Sequence, residues 1–378
     1  MTTHEDPLVV GILMNGRCDE WAHALDHFEN HSKPRLPIPY SILSKYPRDE
    51  VHFVGISFGN EFPKTKYPFS RVVSYRNIIE ARRTCDLIVA WGRYAILNCI
   101  LDLFKFPRNK KTIIISYDWP CCRRQSNFLR SIYQAFQGFM AKFSRGVSVM
   151  TEEQKLSAKS YLPPWISVEK IDFRIDASFY ESFDPAVCDQ AWFDKFSEEN
   201  RHRPYMVMLG DELRIEDDAI TVAKNTEMSV VRVCQYMDAD TKAEILHNVS
   251  AQGLISKYHM MNNLSYGQLI LLLRNASGYL GLVDSTWQPA GWTALSEALC
   301  CRLPVIVYDG LVSREMQFRG IPASAMKVIA SGDVAGVCAA VSEINLSKPN
   351  GVEADQLSEF VKRELSMTPL IEDTSVSR

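Results

Sequence analysis

Apolar residues arrive in short continuous runs, beginning with VVGILM at 9–14 and VHFVGISFG at 51–59. CDLIVAWG (85–92) and KTIIISYDW (111–119) repeat the form, and SVEKIDFRID (167–176) closes a first series. Between them, WAHALDHFE (21–29) and RYAILNCILDLF (93–104) carry the spacing of a helix with one buried face. Val/Ile runs alternating with helices predict parallel strands covered on both faces.

Residues 177–203 break the pattern. They are polar and aromatic, end in EENRHRP, and read as a linker. The alternation then restarts with strands at 205–210, 229–236, 278–283 and 304–309. Helical patterns lie at 217–225, 241–252, 266–276, 293–302 and 334–344, and a last one at 352–366 is expected to pack back on the first domain. The expected fold class is therefore α/β, with two Rossmann-like doubly wound domains facing each other across a cleft. Their bounds are 1–176 and 204–378.

Composition narrows the classes. With 46% apolar and 23% charged residues the chain is globular, and 378 residues suit two domains. A net charge of −3 gives no global basic field, which disfavours nucleic acid as a partner. The apolar runs are too short for a membrane span, and MTTHEDPLVV lacks the cationic start of a secretion signal, so a cytoplasmic protein is expected. The ten cysteines include no CxxC and are expected as reduced thiols without zinc. No GxGxxG follows the first strand and no GxxxxGK[ST] occurs, which disfavours dinucleotide oxidoreductases and P-loop enzymes.

The stretch WQPAGWTALSEALCCRLPVI (287–306) carries the most chemistry. It joins a strand to a helix, where free backbone amides and the helix dipole favour an anion. Gly291 permits close backbone approach, and Thr293 is expected to cap the helix and offer a hydroxyl to phosphate. Glu297 lies farther in, where a carboxylate can accept from a vicinal diol such as ribose. Diphosphate on the turn and ribose on the carboxylate describe a nucleoside diphosphate. Asp238-Ala239-Asp240 matches a metal-binding Asp-x-Asp, yet it opens a helical run and reads as a cap, so no metal is inferred.

EALCCRLPVI (297–306) resembles the Glu-Ala-Met-Ala-Cys-Gly-x-Pro-Val-Ile segment of the GT-B retaining glycosyltransferases, in particular the family 4-like and glycogen-synthase-like members. PAGWT (289–293) resembles that group's glycine turn, and RNASGYLGLVDST (274–286) the helix end and strand before it. IDFRIDASFY (171–180) is similar to its interdomain phrase. The resemblance implies metal-free transfer of a sugar, with retention, from a UDP- or GDP-sugar to an acceptor sugar, glycan or small molecule, with no tightly bound cofactor. Gly210, Gly291, Trp292, Thr293 and Glu297 would then hold the donor, and Met260 and Met261 would cup its base. Asn15, Gly16, Arg17, Tyr117 and Asp118 end first-domain strands where an acceptor would lie.

Two positions depart from the group's pattern. Its first glutamate would fall eight residues before Glu297, at Pro289; either the loop holds an extra residue and Gln288 substitutes, or the role is absent. Its Arg/Lys pair after the first strand of the second domain is replaced by GDELRIEDD (210–218), with Arg214 as the cation. Arg214 and Gln288 are thus the catalytic candidates. The alternatives are a catalytically degenerate binding protein of the same fold and a transferase acting on modified DNA bases.

Overall fold

The computed structural model describes residues 8–13, 51–57, 69–74, 78–91, 93–104, 112–115, 132, 135–136, 138–171, 175, 177–210, 213–234, 237–285, 289–344 and 352–365. The chain divides into two compact units, with the break between Phe173 and Arg174.

The first unit holds β1 (Leu8–Leu13), β2 (Val51–Ser57), β3 (Phe69–Ser74), β4 (Leu87–Trp91), β5 (Thr112–Ile115), β6 (Gly146–Val149) and β7 (Ser167–Lys170). They form one parallel sheet in the order β3-β2-β1-β4-β5-β6-β7. Helices α1 (Ile78–Thr84), α2 (Arg93–Leu103) and α3 (Glu152–Tyr161) cover it. Ile88 and Val147 from the strands meet Cys99 and Ala158 from the helices in one core. Inside it Arg82 forms a fully buried ion pair with Asp102 and donates to Asn98 at 3.1 Å. Asp102 also accepts from the Thr112 amide at 3.1 Å, which ties α2 to the start of β5. The Cys99 thiol is pushed up to about 12, by burial first and the Asp102 charge second, and is therefore an inert core group.

The second unit holds β8 (Tyr205–Leu209), β9 (Ser229–Val233), β10 (Tyr258–Met261), β11 (Gly278–Gly281), β12 (Val305–Tyr308) and β13 (Met326–Ile329). Its parallel sheet runs β10-β9-β8-β11-β12-β13, the doubly wound order whose direction reverses between β8 and β11. β8, β11 and β12 are buried along their whole length, as expected for strands covered on both faces.

Residues 177–203, read as a linker, instead contribute α4 (Ala177–Ser182) and α5 (Val187–Glu199) to the second unit. α5 lies against the later helix Tyr266–Asn275. Phe196 stands edge-on to Tyr205 of β8 at 5.6 Å, and Asp189 accepts from Ser265 at 2.7 Å. The aromatic residues that made the segment look irregular are the packed face of this helix. The last helical pattern, expected on the first domain, also finds partners here. The π-helical turn Val361–Leu365 lies against α4, and Leu365 accepts from the Ile175 amide at 2.9 Å.

The buried pair of the first unit gives a direct test. Asp102→Ala strands the Arg82 charge and should cost about 3–5 kcal/mol, read by urea unfolding; a loss below about 1 kcal/mol would show that the pair is not needed.

Candidate functional site

Gly210, Arg214, Gly291, Trp292, Thr293 and Glu297 lie on the segments that follow β8 and β11, the strands between which the order reverses. β8 ends at Leu209, and Gly210 follows with φ +107. Such a backbone suits glycine, and here there is a second reason. The Arg214 guanidinium folds over this residue, so that a Cβ on Gly210 would lie 2.1 Å from its Nη2. Arg214 Nε donates to the Leu209 carbonyl at 2.6 Å. The same loop is sewn to the exit of β11: Arg214 bridges Val283, and the Asp284 amide donates to Leu213 at 3.1 Å.

Beneath the loop lies a second buried charge. Arg232 donates to Glu216 at 2.6 Å and to the Gly210 carbonyl, and Tyr258 donates to the other Glu216 oxygen at 2.6 Å. Burial, then the Glu216 carboxylate, push the Tyr258 hydroxyl far above its ordinary range, so it remains a donor. This network anchors α6 (Glu216–Asn225) to the carboxyl ends of β8 and β9.

Beyond β11, the Pro289–Gly291 turn enters α9 (Trp292–Cys300). Gly291, at φ +85, is its N-cap and no side chain caps the helix. The expectation that Thr293 caps it is corrected here: the helix begins one residue earlier, which puts Thr293 inside the first turn. A Cβ on Gly291 would sit 3.3 Å from Val283, the residue that Arg214 bridges, so the two loops flank one point.

α9 is almost wholly interior. Glu297 is 1% exposed and accepts from the Tyr180 hydroxyl at 2.8 Å. Trp292 is 2% exposed and stacks under Arg319, whose guanidinium carbon is 5.0 Å from the ring centre and which pairs with buried Glu315 at 2.9 Å. Tyr279, fully buried on β11, has a hydroxyl with no hydrogen-bond partner among the described residues. Burial raises the pKa of this hydroxyl most; Arg214 opposes this and Glu297 adds to it. Tyr279 lines a cavity of about 20 Å³ with Gly281, Ser285, Gly291, Tyr308 and Ser313. That space admits about one water-sized group. Nothing in the sequence pattern marked Tyr180 or Tyr279, because each sits among ordinary core residues.

Met260 and Met261 lie on the edge strand β10, two strands from β8, and the Met261 carbonyl already accepts from the Cys234 amide at 2.9 Å. Gln288, Asn15, Gly16, Arg17, Tyr117 and Asp118 lie outside the described residues. Asp238 caps α7 (Ala239–Ala251) by accepting from the Thr241 amide at 2.8 Å, as its sequence context predicted.

The helix starts differ in their caps. α7, α8 (Tyr266–Asn275) and α11 (Val334–Glu343), which follow β9, β10 and β13, are capped by Asp238, Ser265 and Asp333. At the start of α10 (Leu311–Phe318), which follows β12, Ser313 accepts from the Gly310 amide at 2.8 Å. α6 and α9, which follow β8 and β11, have no side-chain cap. A side-chain cap is worth about 1 kcal/mol. Two helices thus begin without a side-chain cap beside the reversal, the place where doubly wound sheets bind ligands.

No family model and no curated protein matches this chain in sequence. Solved structures do match it. HepE from Anabaena, solved with UDP and glucose, is 11% identical, with 95% of this chain and 96% of that chain covered and a TM-score of 0.65. The sucrose-phosphate synthase of Thermosynechococcus elongatus is 11% identical, with 95% of each chain covered and a TM-score of 0.65. The fold is that of the GT-B glycosyltransferases. The α,α-trehalose 6-phosphate synthase of Burkholderia multivorans shares it at 9% identity, with 96% of each chain covered and a TM-score of 0.64. The GT-B fold is therefore common to chains that keep about one residue in ten. Among the described residues no helix is long and apolar enough to cross a membrane.

Two substitutions test the geometry. Tyr180→Phe removes the donor from a buried carboxylate and should cost about 1.5–3 kcal/mol in urea unfolding. Gly210→Ala should displace Arg214 as well as strain the backbone, so it should cost more than an alanine at Gly332, which has open space at φ +82. Equal losses at the two glycines would show that the Arg214 contact is idle.

Proposed function

We propose that the chain transfers a sugar from a nucleoside diphosphate to an acceptor hydroxyl. The observation that carries this is the start of two helices without side-chain caps, α6 and α9, after β8 and β11, the strands between which the second sheet reverses, with Arg214 in the first of these two loops. Such a site suits a diphosphate, because amides held by the fold meet its charge without reorganising. HepE, of the same fold, has been solved with UDP and with UDP-glucose, which supports a nucleotide-sugar donor.

In this reading the α9 amides and Arg214 receive the charge that develops as the bond from sugar C1 to phosphate oxygen breaks. The acceptor oxygen bonds C1 on the same face, and its proton passes to the departing diphosphate oxygen. Configuration is retained, with no protein base and no metal in the step. The ribose diol meets Glu297, already held through Oε1 by Tyr180. The 20 Å³ cavity admits a single oxygen-sized group near Tyr279, so most of the diphosphate lies outside it, against backbone. Gln288 takes the place of a charged partner at the sugar. Met260 and Met261 border the base, and Asn15, Gly16, Arg17, Tyr117 and Asp118 serve the acceptor.

A second reading, binding without turnover, is favoured by one observation: the Arg214 Nε already serves the Leu209 carbonyl. A panel of UDP- and GDP-sugars separates the two. The true donor at a hundredfold excess over its Kd should stabilise the fold by about 2.7 kcal/mol. Glu297→Gln, which keeps a partner for Tyr180, should weaken that shift, and sugar transfer or donor hydrolysis should follow binding. A stabilising donor that is never consumed selects the second reading; no stabilisation by any donor removes both.

A further inference from the structure

The first unit carries a surface that the proposed chemistry does not use. Among the described residues fifteen large hydrophobic side chains are exposed, and nine of them lie between positions 100 and 165. Phe104 follows α2 and is 73% exposed; Trp165 follows α3 and is 71% exposed. Between them, Ile132, Phe136 and Phe139 are exposed at spacings of four and three in a helical segment, the period of one face.

These elements are neighbours. β4, β5, β6 and β7 are consecutive in the sheet, and right-handed crossovers set their linking helices side by side on one face. Cys99, Met140, Ala141 and Ala158 from the three helices enter one core cluster, so the opposite faces form one outer layer. A Cβ on Gly138 would lie 3.8 Å from the Tyr161 carbonyl, which places the middle helix beside the end of α3.

The aromatic residues are joined by charge of one sign. Among the described residues from 138 to 151 the cations are Lys142 and Arg145 and there is no carboxylate, in a chain of net charge −3. Lys142 and Arg145 are exposed, and the Arg145 amide donates to Thr112 at 2.8 Å, which fixes this turn at the amino edge of β5 and β6. Lys159, Tyr161 and Trp165 reach the same edge before β7, whereas Glu152 and Glu153 stand at the far end of α3.

We propose that this helical layer and its amino rim rest on the surface of an anionic phospholipid bilayer. Tryptophan and tyrosine beside lysine and arginine, with apolar side chains standing outward, match the headgroup boundary of a membrane. The net positive patch complements acidic lipid and is screened by salt.

The test uses the full chain in a vesicle sedimentation assay, with phosphatidylcholine alone and with phosphatidylglycerol added. The chain should pellet with the anionic vesicles, less so as salt rises, and weakly with the neutral ones. Joint reversal of Lys142, Arg145 and Lys159 to glutamate should weaken binding at least about tenfold, with thermal unfolding unchanged. Trp165→Ser, a single exposed position, gives an independent reading if the triple variant melts early, and should also weaken binding. A chain that stays in the supernatant with anionic vesicles, including one retained instead on an acidic protein column, overturns the proposal. So does equal binding by wild type and both variants.

Discussion

One guanidinium holds together the carboxyl edge of the second sheet. Arg214 donates to the last carbonyl of β8, lies over Gly210, and carries the backbone that bridges Val283 at the exit of β11. These are the two strands between which the order reverses, and between them a sheet of this kind has a gap rather than a crossing loop. Backbone joins the two exit loops across that gap, through the Arg214–Val283 bridge and the bonds from Asp284 to Leu213 and from Ile215 to Leu282, while the guanidinium ties this loop back to Leu209. The positive φ at Gly210 is what leaves the guanidinium its room.

Other charges repeat this use of burial. Arg232 with Glu216, Arg319 with Glu315, and Arg82 with Asp102 are each largely withdrawn from water; the first and last join separate elements, and the second lies one turn apart at the end of α10. A buried ion pair adds little net stability over an apolar one, but removing one partner is costly. The gain is specificity: Arg232 accepts only the arrangement in which the Gly210 carbonyl and Glu216 are both present. Trp292 shows the same logic in reverse. Its position after a glycine turn suggests a ligand-facing ring, yet Arg319 covers it and makes it a floor beneath the turn.

Much of the fold was legible in the sequence because continuous apolar runs leave parallel strands few alternatives. β1, β2, β4, β5, β8, β9, β11 and β12 all lie within such runs. β6, β10, β13 and β3 interrupt their apolar residues with Ser148, His259, Lys327 and Arg71. The 177–203 segment failed for another reason: α5 begins at Ala186 without a capping side chain, so no start signal announces it. At the site, glycines were readable because only backbone geometry explains them. Tyr180 and Tyr279 were not, since a tyrosine whose hydroxyl meets Glu297 or a cavity has the same local context as one that fills a core.

The distribution of caps explains how a site can persist while side chains drift. An amide presented by a helix start belongs to the backbone, so any sequence that keeps the turn keeps the donor. Arginine or lysine at the same place can be lost in one substitution. α6 and α9 follow the strands at the reversal, and the turns before α9 and α10 are set by Gly291 and Gly310, where a side chain would meet Val283 or Ser285. Selection on such a site acts on a few glycines and on strand order. Those requirements survive an identity near one in ten, as the proposed diphosphate site would need in a second unit with one arginine in its first loop.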